Sequence, residues 1–327
     1  MLASRGDHIT KLAFLAVIAV GVASISSCSR PGADSLTPDG APLSAAPTRL
    51  PSFEDDVIAQ MMVSADAAGP QWAPAGSATL GPGTQLTTQG VGQCTANYVF
   101  IDNAANVYLG QSAHCAMTAE VMSMNGCRWG NSRSLGTLVS LERGGAPVLD
   151  GATPAVGRLV YSSWLSMQQA GETDRNVCAY NDFALVKIAP GQVAGVNPSV
   201  PFWGGPVGIT SSGVGAGDRV YTYGETNART DSTGLSPHRN EGKADDSAQG
   251  GWTHSLAAVS RSTSGDSGGA ALDPNGRALG TLSTLGLAAP IVNTIGDLGH
   301  ELDYARAHSG IPGLRLVLGT ESFRPTP

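Results

Sequence analysis

Charged side chains are scarce in this sequence, and their scarcity narrows what the chain can be. Only 14% of the 327 residues are charged, whereas about a quarter are charged in a typical soluble domain. The 19 basic side chains form no stripe, and the 26 acidic ones bring the net charge to -7. A nucleic-acid-binding role therefore has no electrostatic support, and long solvated helices are disfavoured. We find no internal repeat.

The apolar run near the N-terminus, residues 12–23, is too short to span a bilayer comfortably. It follows Arg5 and Lys11, an arrangement typical of a signal peptide over residues 1–27. It ends in Ile-Ser-Ser before Cys28, which resembles the processing site of bacterial lipoproteins. The resemblance implies cleavage before Cys28 and lipidation of its thiol, giving stable anchoring at the extracytoplasmic face of the cell membrane. The alternative is an ordinary secretory signal with an incidental cysteine, and both versions predict export.

The cysteine spacing excludes the usual zinc motifs, because no C-x-x-C pair occurs. We expect neither a metal nor a cofactor. Setting Cys28 aside leaves four of the five cysteines, and four allow three pairings. Cys94 and Cys115 bracket a predicted hairpin, so we expect them to pair and to leave Cys127 and Cys178 as the second disulfide. Four unpaired thiols are the alternative.

Glycine, by contrast, is abundant, with 43 residues. Much glycine and little charge are typical of many short strands joined by tight turns. Residues 28–51 are rich in Pro, Ala, Ser and Gly and are predicted to be a disordered tether. We expect a helical or irregular segment over 52–84, a β-rich domain over 85–319 and a tail over 320–327.

Local patterns predict the elements of the domain. Residues 225–250 are polar and are predicted to be a solvated loop. A helix is predicted over 294–308, with Thr294 and Asp297 as a capping pair at its start. Short apolar or alternating runs predict strands at 95–101, 107–110, 135–141, 157–161, 183–188, 219–223, 251–259, 278–283 and 314–318.

The functional prediction depends on residues 265–269, Gly-Asp-Ser-Gly-Gly. Glycines on both sides leave Ser267 on a tight turn that exposes its hydroxyl and directs backbone N–H groups toward one point. A hydroxyl nucleophile needs both the access and the donors. The stretch resembles the nucleophile loop of the chymotrypsin-like serine proteases. The resemblance implies that a His and an Asp precede the Ser in the chain.

Both partners have candidates. His114 stands in Ser-Ala-His-Cys-Ala after a predicted strand, which resembles the general-base loop of that family. Asp182 precedes an apolar strand, as the family's Asp does. The resemblance implies that His114 takes the proton of Ser267, that Asp182 orients the imidazole, and that the N–H groups of Gly265 and Ser267 form an oxyanion hole. The alternatives are a surface His beside a structural Cys and a turn Asp that begins a strand.

The implied fold is all-β, with two packed six-stranded antiparallel barrels, a C-terminal helix and the site in the crevice between the barrels. Arg261, six residues before the nucleophile, occupies the position that lines the primary pocket in trypsin-like members. A cation there favours acidic over basic substrate side chains, unless it points outward. Ser283 resembles the strand that pairs with the substrate backbone. No cleavable basic start occurs near residue 85, so we expect Asp266 to pair with an internal Arg.

Together these features predict an exported, lipid-anchored, monomeric serine endopeptidase that cleaves protein or peptide substrates through an acyl-enzyme. Residues 217–229 and the helix after Ser283 resemble exported proteases of actinobacteria. Two other functions stay open. One is a catalytically silent trypsin-like module that binds a protein partner, and the other is a solute-binding lipoprotein, which would require an α/β chain with longer helices.

Overall fold

The computed structural model of the chain describes residues 69–118, 125–128, 131–142, 155–210, 212–224, 238–244, 249–258, 265–284 and 292–325. The predicted signal peptide, Cys28, the tether, residues 52–68 and Arg261 lie outside these residues. None of the helices in the described ranges is both long and apolar enough to cross a membrane.

Most of the described residues that form regular structure are in β-strands. The strands are β1 (Gln85–Thr88), β2 (Gln93–Thr95), β3 (Val99–Ile101), β4 (Val107–Gln111), β5 (Leu138–Glu142), β6 (Ala155–Ser162), β7 (Ala184–Ile188), β8 (Arg219–Gly224), β9 (His238–Ala244), β10 (Thr253–Ala258), β11 (Ala270–Leu272), β12 (Ala278–Thr284), β13 (Val292–Asp297) and β14 (Arg315–Leu316). The helices are α1 (Ser163–Ala170), α2 (Arg175–Tyr180) and α3 (Leu298–His308).

The strands form two antiparallel sheets. The first is 8-stranded, in the order β14-β3-β4-β7-β6-β5-β1-β2, and the second closes into a barrel in the order β10-β13-β12-β11-β8-β9. The expected all-β class with two antiparallel sheets and a C-terminal helix is confirmed. The second sheet has the expected barrel of six strands, whereas the first has more strands than expected.

The larger first sheet has two local causes. The short strand β14 pairs with β3 at its edge, and the strand predicted at 95–101 is divided into β2 and β3. The division falls at Asn97, whose Oδ1 accepts a hydrogen bond from Tyr98 N at 2.6 Å. The backbone stays bonded to β4 at this point, because Asn97 N donates to Gly110 O at 2.9 Å and Gly110 N donates to Tyr98 O at 3.0 Å.

Two predictions about the second half were wrong. The helix begins at Leu298 rather than at residue 294, because residues 292–297 pair as β13 with β10 on one side and β12 on the other. Asp297 is the capping residue, and its carboxylate accepts from His300 N at 3.0 Å. Part of the predicted loop at 225–250 is strand β9, which pairs with both β8 and β10.

Apolar side chains pack into separate clusters. One cluster packs against the first sheet, and a second lies inside the barrel. A third joins the two sheets and α3, and its largest members include Trp203, Phe183 and Tyr98, all of which are fully buried. Packing also extends beyond residues 85–319, since Leu80 is buried and Arg324 N donates to Trp203 O at 2.7 Å.

Candidate active site

The loop that carries His114 follows directly from strand β4. Its residues Ala113–Ala116 form a short 3-10 turn, and the disulfide Cys94–Cys115 joins that turn to strand β2. Both cysteines are buried. Because the two sulfurs are bonded to each other, they are not available with His114 as ligands for a metal ion. The disulfide instead restricts the residue next to the imidazole.

Asp182 reaches the same place from the other side. It follows helix α2, which Asp174 caps by accepting from Asn176 N at 2.8 Å and from Val177 N at 3.0 Å. The disulfide Cys127–Cys178 anchors this helix to the segment 125–128. A capped and cross-linked helix immediately before Asp182 limits how far its carboxylate can move.

The carboxylate of Asp182 holds His114 at two points. Its Oδ2 lies 2.7 Å from His114 Nδ1, and its Oδ1 accepts from the backbone N of His114 at 2.9 Å. Ser283 Oγ donates to Oδ2 at 2.6 Å. The Asp182 side chain is 3% exposed and that of His114 is 19% exposed. With Nδ1–H directed at the carboxylate, Nε2 of the neutral ring is left as the proton acceptor.

The electrostatics of the pair favour a protonated imidazole. Burial of the ring lowers the pKa of His114, but the charge of Asp182 and its hydrogen bond raise it by more, so the pKa lies above its ordinary value. A buried carboxylate beside the ring stabilises the imidazolium that forms when the ring takes up a proton.

The turn around Ser267 is held by strand β2. Thr95 N donates to Ser267 O at 2.8 Å, and Thr95 Oγ1 donates to Gly265 O at 2.7 Å. Gly268 has a φ of +89°, and a Cβ at this position would lie 2.4 Å from Thr95 O and 3.1 Å from Ser112 N. Only glycine fits this close approach. Ser267 itself is 9% exposed.

One carbonyl of β12 joins the Ser267 turn to the His114 loop. Leu282 O accepts from Gly268 N at 2.7 Å and from Ser112 Oγ at 3.1 Å. The next residue is Ser283, which bonds Asp182. The two loops therefore meet on the strand that also holds the carboxylate. Among the described residues, no hydrogen bond joins the hydroxyl of Ser267 to the ring of His114.

Some backbone N–H groups of the Ser267 turn donate to carbonyl oxygens of the chain, and others are left available to a ligand. Gly268 N and Gly269 N are bonded to Leu282 O and Asp266 O, at 2.7 Å and 3.1 Å. The N–H groups of Gly265 and Ser267 have no acceptor within the described part of the chain. Unused donors on a turn beside a hydroxyl can stabilise a developing oxyanion.

The other predicted site residues have different outcomes. The hydroxyl of Ser283 bonds Asp182, and the pairing of its strand with substrate backbone stays a prediction. Asp266 is buried, with its Oδ1 2.6 Å from the position of a Cβ on Gly224. Its pairing with an internal Arg stays a prediction, as does the pocket role of Arg261.

Sequence reasoning missed Glu301. Its carboxyl lies behind Asp182 and accepts from Asp182 N at 3.4 Å. In the sequence this residue lies within the helix predicted over 294–308, where an acidic side chain is expected to face solvent. That expectation hides its burial, because only the packing of α3 against β12 takes the side chain out of water.

No protein-family model matches the chain, and no curated protein matches it. Solved structures of serine proteases are similar to it at low sequence identity. A thermostable serine protease from an extremophilic microorganism is 20% identical, with 72% of this chain and 100% of that chain covered and a TM-score of 0.45. For Thermobifida fusca protease A the values are 16%, 73%, 98% and 0.41. For a Glu endopeptidase they are 18%, 75%, 96% and 0.44. No residue role or substrate follows from likeness at this level.

Proposed function

We propose that the chain is a serine endopeptidase with Ser267 as nucleophile, His114 as general base and Asp182 as the residue that orients His114. The observation that carries the proposal is the pair of hydrogen bonds between His114 and Asp182. Both residues are held at the same segment of β12 as the Ser267 turn. A buried carboxylate–imidazole pair that can reach a nucleophilic hydroxyl is the constellation that acyl transfer requires.

In the proposed reaction, Nε2 of His114 takes the proton of Ser267 while Oγ attacks the scissile carbonyl carbon. The oxyanion of the tetrahedral intermediate accepts from the N–H groups of Gly265 and Ser267. His114 then gives its proton to the leaving amine, and the C–N bond breaks to leave an acyl-enzyme. A water molecule, deprotonated by His114, attacks the ester carbon. As the C–O bond breaks, His114 gives this proton to Ser267 Oγ, so the acid is released and the hydroxyl is restored.

The finer parts of the proposal come from the sequence. We propose export and lipid anchoring through Cys28, a monomeric state, and a preference for acidic side chains where Arg261 lines the substrate pocket. Cleavage of a peptide library measures the preference for acidic side chains, and a preference for Lys or Arg would contradict it.

One observation favours the second candidate function, a catalytically silent module that binds a protein partner. It is the absence of a hydrogen bond between Ser267 and His114 within the described residues. Such contacts are often long in ligand-free enzymes and tighten only with substrate, so the two functions need a chemical test.

That test is labelling with a fluorophosphonate, which reacts only with an activated serine. We expect the wild type to be labelled, with the adduct on the peptide that contains Ser267, and Ser267→Ala and His114→Ala to be unlabelled. The matched control is Ser77→Ala, which removes an exposed hydroxyl bonded only to Pro74 O, at 3.3 Å, and is expected to label as wild type. A folded, disulfide-bonded wild type that does not label would favour the silent module.

A further inference from the structure

A fully buried carboxyl lies directly behind the pair of His114 and Asp182. It belongs to Glu301, in the first turn of α3, which is 0% exposed. Its Oε1 accepts from Asp182 N at 3.4 Å, and its Oε2 accepts from Thr281 Oγ1 at 2.8 Å. Neither contact involves His114, so any effect of Glu301 on the imidazole passes through Asp182.

These contacts continue across the two sheets. Asn97 Nδ2, in the first sheet's β2–β3 connection, donates to Thr281 Oγ1 at 3.2 Å. Thr281 lies on β12, two residues before Ser283, whose hydroxyl holds the Asp182 carboxylate. Strand β12 is therefore tied to Asp182 twice, to the carboxylate through Ser283 and to the main chain through Glu301.

The space around the carboxyl is fitted to it. A Cβ on Gly296 of β13 would lie 2.3 Å from Glu301 Oε1, so a larger residue at that position would displace the carboxyl. The acid thus occupies a site enclosed by β12, β13 and the Asp182 loop. A side chain so enclosed is held in one rotamer by its surroundings.

The charge environment disfavours an ionised Glu301. No cationic side chain contacts it within the described residues. Burial, together with the nearby negative charges of Asp182 and Asp297, raises the pKa of Glu301 well above its ordinary value. The titratable groups that face it or its neighbours are Asp182, Asp297, Tyr98 and Tyr161, with His254 and His300 bonded to Asp297. An unpaired charge here would be buried beside two carboxylates.

We propose that Glu301 is a positioning residue, whose carboxyl holds the main chain of Asp182 in register with β12 and so sets the orientation of the His114 imidazole. The inference rests on the proposed function, since the orientation of the His114 imidazole affects a reaction only if that residue acts as a base.

The test compares Glu301→Gln, Glu301→Leu and the control Leu302→Ala. Gln keeps an oxygen that can accept from Asp182 N and cannot ionise, whereas Leu offers no acceptor. Leu302 is a fully buried apolar neighbour on the same helix, so its truncation destabilises α3 while leaving the hydrogen bonds of Asp182 with their partners. The readouts are the second-order rate of fluorophosphonate labelling across pH and the low-field proton NMR signal of the His114 Nδ1–H.

We expect Glu301→Gln to label within about threefold of wild type, and Glu301→Leu to label about tenfold more slowly or less, because the buried Asp182 N–H is left without an acceptor. Leu302→Ala is expected to lower the melting temperature while labelling at the wild-type rate. Wild-type labelling by Glu301→Leu, or equal slowing in Leu302→Ala, would overturn the inference.

The NMR signal separates this inference from the proposed function. If no form of the protein is labelled, the protease proposal fails, but the His114 Nδ1–H signal still reports the geometry of the pair. We then expect the signal to be retained in Glu301→Gln and shifted or broadened in Glu301→Leu. An unchanged signal in all three variants would overturn the positioning role of Glu301 on its own.

Discussion

Replacement of Gly268 by Ala is the perturbation that most directly tests the geometry of the Ser267 turn. Gly268 has a φ of +89°, and the added Cβ would lie 2.4 Å from Thr95 O. Ordinary van der Waals contact requires a separation larger by about 1 Å, so the turn or strand β2 has to move by this amount. The movement would break the two hydrogen bonds from Thr95 that hold Ser267 O and Gly265 O.

The expected loss of stability in Gly268→Ala follows from the positive φ and the two broken hydrogen bonds. A non-glycine residue at positive φ costs about 1–2 kcal/mol, and each lost hydrogen bond costs about 0.5–1.5 kcal/mol. The two bonds and the φ term together destabilise the turn by about 2–5 kcal/mol. A displacement of about 1 Å at a nucleophile lowers the rate by about a hundredfold.

The assay measures fluorophosphonate labelling and the free energy of unfolding in Gly268→Ala and in Gly171→Ala. Gly171 has a φ of +66° at the end of α1, and a Cβ there would meet nothing within 4 Å. The control therefore carries the φ cost of about 1–2 kcal/mol without the clash and is expected to label as wild type. Wild-type labelling by Gly268→Ala would refute the reasoning, because it would mean that the turn tolerates a side chain where we infer none fits.

Three other outcomes are expected. Asp182→Asn should lower the pKa of His114, because the aspartate raises it, and should lower the labelling rate by about 10⁴-fold. The acid limb of the labelling profile should therefore move to lower pH. NMR titration of the imidazole measures the change in pKa. The pKa of Glu301 is raised in the folded state, so between the unfolded and the folded pKa the folded state keeps a proton that the unfolded state loses. The free energy of unfolding should therefore fall by about 1.4 kcal/mol per pH unit in that range. Denaturant titrations should show this slope in the wild type and not in Glu301→Gln. Replacing both Cys127 and Cys178 by Ala opens a loop with a sequence separation of 51 residues and should cost about 4 kcal/mol in the same titrations, whereas a loss below about 1 kcal/mol would contradict the chain-entropy account.

The boundary between β13 and α3 shows where local patterns are insufficient. Thr294 and Asp297 satisfy a capping pattern, and the residues after them have helical periodicity. In the structure Thr294 pairs with Ser255 of β10, so its backbone is extended. Partners on both sides of β13 satisfy more backbone groups than one extra helical turn would, and one of those partners, β10, is not adjacent to β13 in the chain.

Ser283 and Glu301 show the same limit at the site. Each stands more than 100 residues from Asp182 in the chain, with separations of 101 and 119 residues. A serine in a strand and a glutamate in a first helical turn have ordinary local explanations. Their contacts with Asp182 arise only when β12 and α3 pack against the loop that carries it.

The sequence by itself was sufficient to predict the all-β class, the candidate residues His114, Asp182 and Ser267, and the cysteine pairs that are bonded in the structure. The class and the candidate residues depend on short-range patterns, such as glycines around a turn, a histidine beside a cysteine, and alternation along a strand, together with the family resemblance of these motifs. The cysteine pairing followed from the predicted hairpin that Cys94 and Cys115 bracket. Only the tertiary structure decided the number of strands in the first sheet, the start of the last helix, and which side chains hold Asp182. Those features depend on which distant backbone and carboxyl groups find partners after burial, and a buried polar group without a partner is too costly to leave to local preference.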